Sequence, residues 1–265
     1  MLAVLSPAKA LDFSEVKGLS LTPTSPVLID DAEALMRTTR GLSQKRIREM
    51  MGLSASLAKL NYDRYRNFDL PFNVHNAMPA GLVFNGDVYR GLDARSLSKK
   101  QLEWAQDRIA ILSGLFGILR PLDLIQPYRL EMGTKLKTRR GKNLYEFWAN
   151  RIASQIEAKV DVHKDPTLVN LASNEYFKVV RSKTLKIPIV ECVFENWKTH
   201  KDEGAVISFL AKYARGLMAR YIVTEQIDRV DGLKDFNVEK YKFRPSLSTD
   251  KRWVFSRKFV PASAN

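Results

Sequence analysis

Cysteine is almost missing from this chain. Among 265 residues there is one, Cys192, so no internal disulfide can form. Histidine is nearly as scarce. His75, His163 and His200 are scattered and share no metal-ligand spacing with Cys192, so no metal site and no other cofactor is expected. No apolar run approaches the roughly 18 residues of a membrane-spanning helix. The first residues, MLAVLSPAKALDF, are too short and polar a stretch for a signal peptide, and the cytoplasm is the expected compartment. The Walker pattern GxxxxGK, the dinucleotide pattern GxGxxG and the nucleophile elbow GxSxG are all absent. No nucleophile, general base or cofactor can therefore be assigned from motif. Acidic residues are also in deficit: 29 Asp and Glu face 43 Lys and Arg, a net charge of +14.

That imbalance favours a polyanionic partner, with a generally basic, soluble surface as the plainer alternative. Hydrophobic residues make up 45% of the chain, enough to fill a sizeable core. No repeat, low-complexity tract or linker divides it, so residues 1–265 read as a single domain. Cys192 lies in the alternating run IPIVECVF, in register with Val190 and Phe194, which places the thiol on a core face.

The pattern of elements is mixed. Ala3 to Leu5 reads as a short buried strand stopped at Ser6-Pro7. A Ser-, Thr- and Pro-rich loop runs on to Pro26. Asp30 with Glu33 resembles a capping box for a helix carrying Leu35 and Met36. Ser43 caps the next helix, Gly52 ends it, and Ser54 restarts the chain, with Leu57 and Leu60 continuing an apolar face. Residues 43–67 thus form a helical hairpin. Leu82 to Phe84 reads as a strand closed by Asn85-Gly86, and Ser98 with Gln101 caps a further helix. Ile109 to Leu112 is a buried strand. Asn143 and Glu146 open one helix bearing Leu144, Phe147, Trp148, Ile152 and Ile156. Strands are expected at Thr167 to Leu171, Ile187 to Phe194 and Ala205 to Phe209, a helix at Leu210 to Val223, and an edge strand at Trp253 to Phe255. Interleaved helices and strands specify an α/β fold, with a mixed sheet flanked by helices in one compact domain.

The stretch Leu112–Gly133, LSGLFGILRPLDLIQPYRLEMG, organises the site. Glycines and prolines break it, and Arg120, Asp123, Arg129 and Glu131 stand among its apolar residues, where charges need partners. Three apolar strands end in serine: Ser6, Ser113 and Ser173. Neighbouring parallel strands would gather these serines at one sheet edge, where open α/β sheets bind ligands. Lys9 and Lys178 lie just beyond two of the ends, Arg120 and Arg129 beyond the third, and Asp87 follows the Asn85-Gly86 turn. A positively lined crevice is the expectation; ordinary surface lysines and structural ion pairs are the alternative. Arg129 and Glu131 point the same way in an extended segment and are expected to pair. On the Leu210 helix, Lys212, Arg215 and Arg220 project opposite the apolar side. Gly216 and Ala219 between them leave room for a polyanion backbone.

Several blocks together, LSPAKALDF, FNGDVYRGL, LSGLFGILRPLDLIQPYRLEMG, GKNLYEFW, NLASNEYFK and FLAKYARGLMARYI, resemble the YaaA family of bacterial peroxide-stress-response proteins, in order over nearly the whole chain. The resemblance implies a cytoplasmic protein that limits hydrogen peroxide damage by keeping unincorporated iron low. It also implies an unusual α/β fold that binds DNA through a basic cleft and a helix-hairpin-helix element. That element matches Ser43 to Asn67 best, with LSGLFG as the other candidate. Ser6, Lys9, Asp87, Arg120, Arg129, Glu131, Lys178, Lys212 and Arg215 fall at matching motif positions. The leading expectation is a monomeric DNA-binding stress protein whose phosphate contacts are Lys9, Arg120, Arg129, Lys178, Lys212, Arg215 and Arg220. Ser6, Asp87, Ser113, Glu131 and Ser173 supply polar groups in the crevice. The alternatives are an enzyme on a phosphorylated or nucleic-acid substrate, with Asp87 or Glu131 as acid–base, and a protein-interaction module using the basic face.

Overall fold

Four consecutive fully apolar residues begin the architecture. In the computed structural model, which describes residues 1–16, 18–181, 185–197 and 204–258, strand β1 (Leu2–Leu5) is buried along its whole length. It is an interior strand of a seven-stranded sheet with β2 (Ile109–Ser113), β3 (Gly117–Leu119), β4 (Leu168–Leu171), β5 (Ile189–Trp197), β6 (Lys242–Phe243) and β7 (Arg252–Lys258). The order is β6-β7-β5-β4-β1-β2-β3. The five central strands are all parallel, and each edge is an antiparallel strand, β6 on β7 and β3 on β2. β1, β2 and β4 are buried along their whole lengths and mainly apolar, as a parallel sheet covered on both faces requires. The alternating burial of β5 shows one of its faces less covered.

Helices flank this sheet: α1 (Ile29–Arg40), α2 (Gln44–Met51), α3 (Ala55–Asn67), α4 (Asp87–Leu92), α5 (Lys99–Ala105), α6 (Leu144–Trp148), α7 (Arg151–Asp161), α8 (Asn174–Phe177) and α9 (Ser208–Thr224). Helix α9 packs on β5 and on α4. The hairpin expected at 43–67 forms as α2 and α3. Ser43 and Ser54 accept bonds from the amides of Arg46 and Leu57, and Gly52 ends α2 at φ 61°, a conformation glycine tolerates best. Ser98 and Gln101 complete the anticipated capping box. One buried hydrophobic cluster runs through all of these elements.

Several expectations need correction. Helix α1 starts at Ile29 after Leu28, without a side-chain cap, so Asp30 and Glu33 make no capping box. Leu57 and Leu60 face solvent, and Ala58, Asn61 and Tyr65 are the inward face of α3. Residues 80–83 form a helical turn, and only Phe84–Asn85 pairs as strand, with Ala10–Leu11. The helix beginning at Asn143 breaks at Ala149, where φ reaches 44°, although all five of its predicted core residues are buried. Ala205 makes a single bridge to Asn196, and the chain is helical from Ser208. The expected strand at 205–209 therefore does not form: Val206 and Phe209 are exposed, and a short apolar run without burial has no sheet to join. Strand β7 is interior rather than an edge, because β6 covers it. His200 lies outside the described residues.

Candidate functional site

The serine-terminated strands are neighbours and parallel, so their carboxyl ends meet at one edge. There the Ser173 amide donates to Ser6 Oγ at 2.8 Å, and Ser6 Oγ donates to Ser173 Oγ at 3.2 Å. Tyr89 braces this floor by donating to the Ser6 carbonyl at 3.0 Å. Above it opens a crevice of about 510 Å³ whose lining includes Ser6, Lys9, Asp87, Glu131, Ser173, Lys212 and Arg215. Seven of the twelve residues singled out from sequence thus come together.

The route of Leu112–Gly133 explains which others do not. After β2 the chain turns tightly at Gly114, Leu115 and Phe116, and β3 runs back antiparallel, so Leu119 lies opposite Ile111. Arg120 is carried to the amino-terminal end of the parallel strands, away from the crevice, which corrects its expected placement. It pairs there with buried Asp123 through Nε and Nη2 at 3.1 and 2.9 Å. The segment then returns, and Glu131 re-enters the crevice wall. Gly114 permits this crossing: a Cβ there would lie 2.1 Å from the Leu130 carbonyl oxygen. Ser113 is fully buried, bonded to the Tyr128 hydroxyl at 2.7 Å and to the Phe116 amide, so it closes a turn rather than lining the crevice.

Arg129 donates Nε to Glu131 Oε1 at 3.0 Å, the pairing expected from their spacing, and Lys9 approaches the same oxygen at 3.7 Å. Lys178 rests over the Tyr145 ring at 4.9 Å. Arg220 donates to the carbonyls of Leu92 and Asp93 and caps the end of α4, so it is a structural cation. Gly216 and Ala219 are buried, and a Cβ on Gly216 would fall 1.8 Å from the Val88 carbonyl oxygen. The small residues of α9 therefore admit the backbone of α4, not that of a polyanion, and this too corrects the sequence reading. The same contact sets α9 beside α4, and Lys212 and Arg215 of α9 line the crevice with Asp87 of α4.

The charge of the crevice also differs from expectation. Its cations are Lys9, Lys212 and Arg215, and its carboxylates are Asp87, Glu131 and Glu175, so the lining is balanced. Burial holds the Arg215 guanidinium below the usual arginine range, with the Glu191 carboxylate opposing, and Arg215 Nε is buried without a hydrogen-bond partner. The tyrosines of the wall, Tyr89 and Tyr176, are pushed up by burial and stay protonated. Sequence reasoning passed over Glu175, although it sits two residues beyond Ser173. Its Oε1 accepts the Gly133 amide at 2.9 Å and so ties the crevice to the loop that follows.

That loop holds Lys135, Lys137, Arg139 and Lys142, all exposed. Among the described residues, none of the four has an ion-pair partner. Met132, Thr134 and Leu136 alternate with the first cations and are buried. The loop's outward face is therefore basic because its inward face is occupied by core.

Among the described residues, no helix is long and apolar enough to cross a membrane. Residues 1–247 match the family model described as "Peroxide stress protein YaaA". A UPF0246 protein of Caulobacter vibrioides is 49% identical over 257 residues, covering 97% of this chain and 99% of the relative. A UPF0246 protein of Bordetella pertussis is 50% identical over 260 residues, covering 97% and 99%. One from Phenylobacterium zucineum is 48% identical over 264 residues, covering 100% and 97%. Near-complete overlap at half identity, together with the family match over residues 1–247, leaves one conclusion: the chain belongs to the peroxide stress protein YaaA family.

Proposed function

We propose that this protein binds DNA in the cytoplasm, as a monomer, within the cellular response to hydrogen peroxide, and that its action keeps unincorporated iron low. The peroxide role is supported by the family to which the chain belongs. The iron role is supported by the family resemblance. One observation carries the DNA reading: cations are gathered on and beside one edge of the sheet, and among the described residues those of the loop after Gly133 are exposed and have no carboxylate partner. Lys135, Lys137 and Arg139 line the loop that Gly133 ties to the crevice wall, and Lys178 stands beside it. Lys9, Lys212 and Arg215 belong to the crevice itself. Arg120, Arg129 and Arg220 are committed to Asp123, Glu131 and the end of α4, and they leave the set of phosphate contacts.

Counterion release tests this directly. Five phosphates met by Lys135, Lys137, Arg139, Lys142 and Lys178, all outside the crevice, give a slope of log affinity against log salt of about −4.5 on duplex DNA, at about −0.9 per phosphate. A titration at several salt concentrations should show that slope, and Lys135→Glu/Lys137→Glu should lower its magnitude by about 2. A slope near zero, or one that the double variant leaves alone, would falsify the reading. The iron role is checked by the electron paramagnetic resonance signal of chelated iron in peroxide-treated cells lacking the protein. The signal should rise, and only a DNA-binding form should restore it.

A further inference from the structure

The crevice is the wrong shape and charge for a duplex. Its volume of about 510 Å³ falls in the range of small-ligand pockets, roughly 300–1,000 Å³. A duplex whose major groove alone is about 12 Å wide cannot enter. Its lining carries three cations and three carboxylates, so it lacks the cation surplus that a long phosphodiester backbone calls for. The surplus cations lie outside, on the loop after Gly133. Inside are hydrogen-bonding groups with capacity left over. Arg215 Nε is buried and unpartnered, a donor facing no acceptor. Ser6 Oγ already donates and accepts, but among the described residues the Ser173 hydroxyl has no acceptor for its own proton. Asp87, Glu131 and Glu175 accept only, each with one oxygen engaged by the protein. A ligand suited to this lining has one anionic end and a body rich in N–H and O–H donors.

We infer that the crevice receives a single unpaired nucleotide of the bound DNA. Its phosphate lies against Lys9, Lys212 and Arg215, and the donors of its base meet Asp87, Glu131 and Glu175. The inference rests on the DNA-binding reading above and adds the species recognised. The duplex is held on the exposed loop while one nucleotide leaves the stack, which is least costly at a mismatched or already unpaired position. The crevice lies at the carboxyl ends of adjacent parallel strands, the edge at which open sheets take ligands. Tyr89 and Tyr176 close its wall with buried rings, and Ser6 and Ser173 put their hydroxyls at its floor.

The test uses a duplex carrying 2-aminopurine at a mismatch and a distal fluorescein. Anisotropy of the fluorescein reports binding, and 2-aminopurine emission at saturating protein reports unstacking. Emission should rise several-fold at the mismatch and stay flat in a matched duplex. A free deoxynucleoside 5′-monophosphate should suppress the rise without displacing the duplex. In Arg215→Ala, and in the isosteric Asp87→Asn/Glu175→Gln, emission at saturation should return to that of free DNA. Reading emission at saturation separates loss of extrusion from loss of affinity. If anisotropy reports binding while emission does not change, the crevice assignment is wrong and the DNA reading stands. If emission rises equally in both variants, the nucleotide goes elsewhere and the assignment is again wrong. If no duplex changes the anisotropy, the DNA reading fails and this inference with it.

Discussion

Cys192 shows how far one residue's chemistry is decided by its neighbours. Its register in IPIVECVF was readable as core-facing, and it is 1% exposed in β5. Burial pushes the thiol up to about 12, against a small opposing pull from Arg215. At pH 8 about one molecule in ten thousand is then thiolate, the form that reacts. Native protein should therefore give no prompt colour with Ellman's reagent at pH 8, and one equivalent after denaturation; prompt labelling of the native protein would show the thiol to be accessible. His163 makes a second case that sequence did not foresee. Burial, then the Met1 ammonium, Arg108 and Lys159, push it down to about 4, with Asp107 opposing. An unfolded histidine titrates near 6.5, so between about 6.5 and 4 the unfolded chain binds a proton that the folded one refuses. Stability contributed by neutral His163 is complete above that window and is lost as pH falls through it. The urea midpoint should drop between pH 7 and pH 5 by more in the native sequence than in His163→Asn. Equal drops would show that His163 does not drive the change.

At the level of elements, periodicity located α9 and failed to say what its small side would meet. Lys212, Arg215 and Arg220 do share one side, as 3.6-residue spacing requires. Spacing cannot tell whether a glycine stripe faces solvent or another helix, because both leave the apolar stripe unchanged. Here Gly216 and Gly91 bring two backbones together. Cβ atoms there would stand 1.8 Å from the Val88 oxygen and 2.2 Å from the Tyr213 oxygen. Neither neighbour is a side chain that can swing aside. Gly216→Ala should cost roughly 3 kcal/mol in urea unfolding, at the upper end of overpacking effects. Because α9 carries Lys212 and Arg215, the variant should also disturb the crevice. A cost below about 0.5 kcal/mol, the scale of ordinary surface changes, would show that α4 and α9 do not touch through backbone. The same limit of local pattern explains 205–209. Its residues are apolar enough for a strand, but Val206 and Phe209 are exposed, and sheet pairing needs a burying partner that the sequence does not display.

For the whole molecule, the parallel centre of the sheet was legible because buried, mainly apolar runs followed by serine recur in β1, β2 and β4. Strand direction beyond that was not legible. A three-residue turn at Gly114 decides whether Arg120 joins the serines or leaves for the far end, and the pairing of β3 back onto β2 as a hairpin, which no turn motif in the sequence announces, settles it. The two ends of the sheet consequently differ in chemistry. At the crevice end, cations stand exposed on loops. At the far end, Asp123 is 1% exposed and accepts Thr24 Oγ1 at 2.5 Å, the Arg120 amide at 2.7 Å and the Arg120 guanidinium. This carboxylate anchors the Pro-rich entry loop to the core. Removing the guanidinium leaves it short of its charged partner, while the amide and Thr24 bonds persist and solvent reaches part of the vacated site. Arg120→Ala should therefore destabilise the fold by roughly 2 kcal/mol, less than a fully buried pair would lose. It should leave the affinity for duplex DNA and its salt slope unchanged, since no phosphate is met at that end. Were the slope to fall by about 1 while the urea midpoint stayed fixed, Arg120 would be a phosphate contact after all, and the separation of the two ends would be wrong.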